Sequence, residues 1–110
     1  MTTASDLSTI AATPCFLNGH TLPLNEANIS VMDRGFIFGD GVYEVLSVYD
    51  NTVFRFEQHM QRLERSLAEM RIPNPHTRDH LLAIANELLN TPNTPLCAIH
   101  LTHAHITRSI

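Results

Sequence analysis

A chain of 110 residues, 44% of them hydrophobic and with a net charge of −4, holds enough material for one compact domain with a core of its own. That composition excludes a disordered chain, and the absence of any basic cluster argues against a nucleic-acid partner. No apolar run approaches the ~20 residues of a membrane span. The first thirteen residues have neither the positive start nor the apolar stretch of a secretory signal, so the expected address is cytoplasmic, with no membrane contact.

Two cysteines, Cys15 and Cys97, suggest neither a disulfide framework nor a zinc set, and no metal is expected. All seven basic residues are arginines: Arg34, Arg55, Arg62, Arg65, Arg71, Arg78 and Arg108. Chemistry that needs a lysine amine is therefore closed to this sequence.

In chain order, residues 1–13 read as a loose leader. Cys15 to Leu17 and His20 to Leu22 flank Asn18-Gly19, a strong hairpin signal because both turn positions favour positive φ. Pro23 ends the second strand. A short strand is expected over Asn28 to Val31. Asp33 to Gly41 reads as a loop, since three of the four glycines fall within seven residues there. Val42 to Tyr49 is rich in β-branched and aromatic residues and predicts a strand. Asp50-Asn51 turns it back into an antiparallel partner, Thr52 to Phe56.

A helix is expected from about Glu57 to Arg71, its buried stripe formed by Met60, Leu63, Leu67 and Met70. Pro73 and Pro75 stop it. A second helix runs from a Thr77 N-cap to Leu89, with a broad face of Leu81, Leu82, Ile84, Ala85, Leu88 and Leu89. The loop of residues 91–95 leads to a last strand, Leu96 to Thr102. No repeat or second domain is visible. The expected fold class is α+β, an antiparallel sheet with two helices packed on it.

Four features bear on chemistry. The glycine-rich loop runs into a strand rather than out of one and lacks Gly-Lys, so it is neither a dinucleotide fingerprint nor a Walker loop. Alternation places Tyr43, Val45 and Ser47 on one sheet face and Glu44, Leu46 and Val48 on the other. By itself Tyr43 reads as a half-buried strand tyrosine. Arg62 flanks the apolar stripe of the first helix. Spacing alone favours a side chain that snorkels to water or pairs with an acid, against the sharper reading of an anion fork. His100, His103 and His105 cluster near the end of the chain, where a solvated terminus is favoured over a metal set.

The segments in this order resemble the class IV, or fold-type IV, pyridoxal-phosphate aminotransferases. The likeness begins at Phe16-Leu17-Asn18-Gly19 and is strongest from Ile29 through Asp33-Arg34-Gly35-Phe36-Ile37-Phe38-Gly39-Asp40-Gly41-Val42-Tyr43-Glu44-Val45. It continues through Phe54-Arg55-Phe56-Glu57 and His59-Met60-Gln61-Arg62-Leu63 to Ile72-Pro73. Within the family, Asp40-Gly41-Val42-Tyr43-Glu44 resembles the D-amino-acid type. Branched-chain aminotransferases tend to show Phe-Glu-Gly there, and aminodeoxychorismate lyases usually lack the Tyr-Glu-Val continuation.

The resemblance implies roles for individual residues. Arg62 corresponds to the arginine that grips the phosphate of pyridoxal phosphate. Tyr43 corresponds to the tyrosine that helps hold the substrate carboxylate. Glu44 receives no role. In this family the cofactor lies between a small N-terminal domain and a larger C-terminal one that carries the catalytic lysine. The expected organisation is a leader over residues 1–13, an N-terminal aminotransferase domain over 14–102 and a divergent tail over 103–110. Where the family usually continues Thr-Arg-Gly, this chain has Thr102-His103-Ala104.

The expected reaction is transamination between a D-amino acid of the D-alanine type and a 2-oxo acid. The chain is expected to be inactive alone and to self-associate through an uncovered face. The alternatives are a piece of a branched-chain aminotransferase or of an aminodeoxychorismate lyase, a non-catalytic relic that binds a full-length relative, and a small module using its histidines.

Overall fold

The computed structural model describes residues 13–91 and 98–104. The chain opens with a hairpin, β1 (Pro14–Leu17) and β2 (His20–Pro23), in which Leu17 pairs with His20. Asn18 and Gly19 form the two-residue turn at φ 49° and 93°. Both values lie in the left-handed region that a tight hairpin of matching twist requires.

The strand expected over Asn28 to Val31 does not form. Those residues run irregularly from a short 3-10 turn at Leu24–Glu26 to a turn at Val31 and Met32, and the stretch pairs with no strand among the described residues. Without a neighbour, β-propensity alone gains nothing. The expected loop holds a short helix, α1 (Arg34–Phe38). The Asp33 carboxylate accepts from the Gly35 amide at 2.8 Å to start it, and Gly39, at φ 68°, ends it. Arg34 then reaches Asp40 at 2.6 Å across the helix end. Five residues are too few for a hydrophobic period to show, which is why composition alone suggested a loop.

The central strand is β3 (Gly41–Tyr49), joined to β4 (Thr52–Val53) through Asp50 and Asn51, both left-handed at φ 49° and 58°. Asn and Asp tolerate that conformation better than other side chains. The pairing is shorter than expected, because Phe54 and Arg55 already turn and Phe56 begins a helix.

That helix is α2 (Phe56–Met70), which packs on β3 and buries Met60, Leu63 and Leu67. Met70, expected in the stripe, is 41% exposed. The cause is the helix end. Arg71 adopts φ 56°, its amide bonds Ala68 O, and the Ile72 amide bonds Leu67 O at 2.9 Å. This Schellman closure turns the chain so that Ile72 rather than Met70 packs beside Leu67.

Next comes α3 (Arg78–Leu89), with the Thr77 hydroxyl accepting from the His80 amide at 3.1 Å as its N-cap. Leu81, Ala85 and Leu89 face the core at four-residue intervals. Arg78 ties the two helices together, bonding Glu64 with two nitrogens at 2.7 and 2.8 Å and Glu57 at 2.6 Å.

The last strand, β5 (Ala98–Ala104), returns antiparallel beside β3, pairing Tyr43 with Thr102 and Glu44 with Leu101. It runs through His103 and Ala104, so the divergence from the family at His103 leaves the pairing unbroken. The three-stranded sheet has the order β4-β3-β5. Leu46 and Val48 of β3, Ile99 of β5 and the inner stripes of α2 and α3 form one core. This is the expected α+β architecture, with the hairpin as a separate two-stranded sheet and the extra short helix α1. Among the described residues no helix is long and apolar enough to cross a membrane.

Candidate functional site

Alternation along β3 turns Glu44 toward α2, the same side as Leu46 and Val48. Its side chain is 4% exposed, and it is the one buried charged residue among the described residues. A carboxylate in that position must be paired to remain ionised. Two residues one helical turn apart on α2 meet it. Arg62 donates Nε to Oε1 at 2.6 Å and Nη2 to Oε2 at 2.7 Å, and His59 Nδ1 lies 2.9 Å from Oε2. The Arg62 fork, outweighing desolvation, and then His59 hold the Glu44 pKa below the ordinary carboxylate value. The Arg62 guanidinium is raised in return by Glu44.

Arg62 is itself 58% exposed beyond this contact. It lines a shallow cleft of about 310 Å³ with Arg55, Gln58, His59, Gln61 and Arg65. Three guanidinium groups around one opening make a cationic mouth, suited to a phosphate or another oxyanion. Arg62 therefore both pairs with an acid and faces solvent, the arrangement expected of an arginine flanking a core stripe.

Tyr43 leaves β3 on the opposite face and is 73% exposed, not half-buried. It contributes instead to a second open cavity of about 470 Å³ under α1, lined by Ile29, Asp33, Gly35, Phe36, Gly39, Gly41 and Thr102. The structure thus does not bring Tyr43 and Arg62 together. Each lines its own cavity.

Glu44 and His59 are the site residues that sequence reasoning missed. The signal was present in the strand pattern. An acid sharing a face with Leu46 and Val48 is a buried acid, and a buried acid requires a cation nearby.

The histidines also depart from expectation. His105 and Cys97 lie outside the described residues, and His100 is exposed. His103, however, is partly buried on β5, with its ring 6.1 Å from that of His76 and its Nδ1 buried without a hydrogen-bond partner among the described residues. It packs against the residues before α3 and is not part of a solvated terminus. His76 Nδ1 lies 3.0 Å from His80 Nδ1. Burial, and then the neighbouring imidazoles, push the pKa values of His76 and His103 below the ordinary histidine value. Among the described residues no three His, Cys, Asp or Glu side chains are placed to hold a metal ion.

Residues 41–105 match the family model described as amino-transferase class IV. The chain is 38% identical over 81 residues to a D-alanine aminotransferase of Staphylococcus haemolyticus, an alignment covering 74% of this chain and 29% of that protein. It is 31% identical over 94 residues to a D-alanine aminotransferase of Listeria monocytogenes, covering 86% of this chain and 32% of that one. In structure it is similar to a branched-chain aminotransferase of Thermoproteus uzoniensis solved with norvaline. That match has a TM-score of 0.75 and 25% identity, over 89% of this chain and 35% of that one. A 4-amino-4-deoxychorismate lyase of Pseudomonas aeruginosa matches with a TM-score of 0.58 and 31% identity, over 76% of this chain and 30% of that one. The chain spans about 30% of the length of the curated relatives it matches.

Proposed function

The chain belongs to the class IV aminotransferase family, and from that premise we propose that it supplies the phosphate-gripping half of a pyridoxal-phosphate site in a D-amino-acid aminotransferase. The observation that carries this reading is the Arg62 guanidinium, braced by a buried carboxylate and open to a cationic cleft. Pyridoxal phosphate fits these residues at one end. Its phosphate matches Arg62, with Arg55 and Arg65 adding positive charge around it. Its aldehyde finds no lysine in this sequence, so covalent attachment must come from elsewhere. When bound, the pyridine ring supplies the electron sink that transamination requires.

Tyr43 is proposed to meet the substrate carboxylate by donating from its phenol hydroxyl. Its exposure on the uncovered face of β3 supports that role, as does the glycine-lined cavity beside it. The D-amino-acid reading rests on the D-alanine aminotransferase relatives and on Asp40-Gly41-Val42-Tyr43-Glu44. A D-amino acid and a 2-oxo acid are the proposed substrates. The exposed Phe36, Phe38, Tyr43 and Tyr49 support association with another copy or with a covering domain. The domain is proposed to span residues 14–102 and to work in the cytoplasm.

The test joins this chain to the C-terminal remainder of the Staphylococcus haemolyticus relative and compares wild type with Arg62→Ala. Loss of the charge-assisted contact should cost about 1.5–3 kcal/mol, or roughly ten- to a hundredfold in pyridoxal-phosphate affinity. An unchanged dissociation constant would return Arg62 to a surface ion pair. The chain alone should show no turnover of D-alanine and, after borohydride reduction with pyridoxal phosphate, no adduct on any side chain.

A further inference from the structure

We propose that Glu44 is the positioning residue of the anion site: seated on the core side of β3, it fixes the Arg62 guanidinium so that the opposite edge of the fork faces the cleft. The inference rests on the phosphate reading of Arg62.

Glu44 is rooted in the middle strand of the three-stranded sheet, paired on one side with β5 and followed by the turn into β4. Its carboxylate therefore has a fixed origin, whereas arginine has a long flexible stem. The contact is side-on. Oε1 and Oε2 take the edge formed by Nε and Nη2. A guanidinium is a planar fork of N–H donors, so occupation of that edge leaves the Nη1 side for a second oxyanion. His59 locks the carboxylate in turn. An ionised carboxylate only accepts, so His59 Nδ1 must carry the proton in the 2.9 Å contact with Oε2. The 3.5 Å approach of Arg62 Nη2 to His59 Nδ1 then sets two donors side by side and is no bond. The result is a chain of strand, carboxylate and guanidinium, with the histidine as a strut.

Two effects of Glu44 on an incoming phosphate oppose each other. Its negative charge cancels part of the Arg62 charge and weakens anion binding. Its bidentate grip holds the fork in place beforehand and strengthens binding. The proposal is that the grip wins, so the sign of one substitution decides it.

The experiment uses the 110-residue chain, with inorganic phosphate and pyridoxal phosphate as probes and pyridoxal, which lacks the phosphate, as control. The Arg62 Nε–H resonance is followed by nitrogen NMR. Glu44→Gln keeps the shape and removes the charge. It should bind both phosphates on the order of tenfold more weakly, the size of effect that outer partners of a ligating group have elsewhere. Pyridoxal binding should not change, the Arg62 Nε–H signal should broaden into exchange with water, and Glu44→Asp should recover part of the loss.

Equal or tighter phosphate binding by Glu44→Gln, with Arg62→Ala still losing it, overturns the proposal and leaves Glu44 a counter-charge. Phosphate binding unaffected by Arg62→Ala removes the phosphate reading itself, and the proposal with it. If Glu44→Gln does not fold, Glu44→Asp and the wild-type spectrum decide, and a wild-type Arg62 Nε–H in fast exchange with water overturns the brace.

Discussion

Glu44, Leu46 and Val48 of β3 lie under α2, whereas Tyr43, Val45 and Tyr49, on the other face of the same strand, stand exposed. The two faces differ little in apolar character. One carries Leu and Val with a glutamate, the other Val with two tyrosines. What separates them is the covering. The helix-side face is closed by Met60, Leu63 and Leu67, which are almost wholly buried, while Val45 is 37% exposed and Tyr49 63% exposed. The charged residue also sits on the closed side, held by Arg62 and His59. In this domain the covered face supplies stability and the orientation of one arginine. The open face leaves two tyrosines and a valine to solvent.

The comparison is broken most sharply by truncating one residue from each side. Leu63→Ala should cost about 2–5 kcal/mol, because a buried leucine loses both its transfer energy and its packing. Tyr43→Ala should stay within about 0.5 kcal/mol of wild type, as surface positions do. Urea unfolding of the two variants measures the difference directly, and similar losses would mean that the open face is covered in solution.

A smaller effect is expected at the ion pair. Arg62→Ala leaves the buried Glu44 carboxylate with His59 as its remaining partner and should lower stability at neutral pH by less than Leu63→Ala does. The folded pKa of Glu44 lies below its ordinary value of 4.5, so on acidification the unfolded chain takes up the proton first. The stability from this pair is fully present above 4.5 and is lost as pH falls through the folded pKa. Unfolding curves across pH 3–6 should therefore show a steeper acid loss for wild type than for Arg62→Ala.

The smallest effect concerns His76 and His103, whose pKa values are pushed below 6.5 by burial and by neighbouring imidazoles. Above 6.5 they are neutral in both states and titrate nothing. Below it the unfolded chain takes up protons first, and stability falls until the folded pKa values are reached. His103→Leu removes one of these groups and the unpartnered Nδ1 with it. Its thermal midpoint should fall less than that of wild type between pH 7 and pH 5. Parallel curves would show that His103 is open to water.

Much of the fold was legible because its instructions are short in range. Asn18-Gly19 marks a hairpin by backbone sterics alone, Thr77 marks a helix start by one hydroxyl, and the spacing of Met60, Leu63 and Leu67 marks a buried stripe. The failures lie where the deciding contact is elsewhere in the chain. Residues 28–31 have a strand-like composition but, among the described residues, no strand to pair with. Met70 has the right period but lies where the left-handed turn at Arg71 gives its place to Ile72. The helix within the glycine segment depended on Asp33 capping Gly35, a detail that composition hid.

The candidate site divides in the same way. Local residue order nominated Arg62 and Tyr43 as candidates, through their likeness to a family pattern, and showed that the sequence holds no lysine. Tertiary structure decided that these two residues line separate cavities, that Glu44 is the buried acid joining strand to helix, and that His103 meets His76. The reason is physical. Turns, caps and periodicity act over a few neighbouring residues, so the sequence carries them openly. The pairing of Glu44 with a residue eighteen positions away follows only when β3 and α2 are packed, because desolvation of the carboxylate and its rescue by Arg62 occur together.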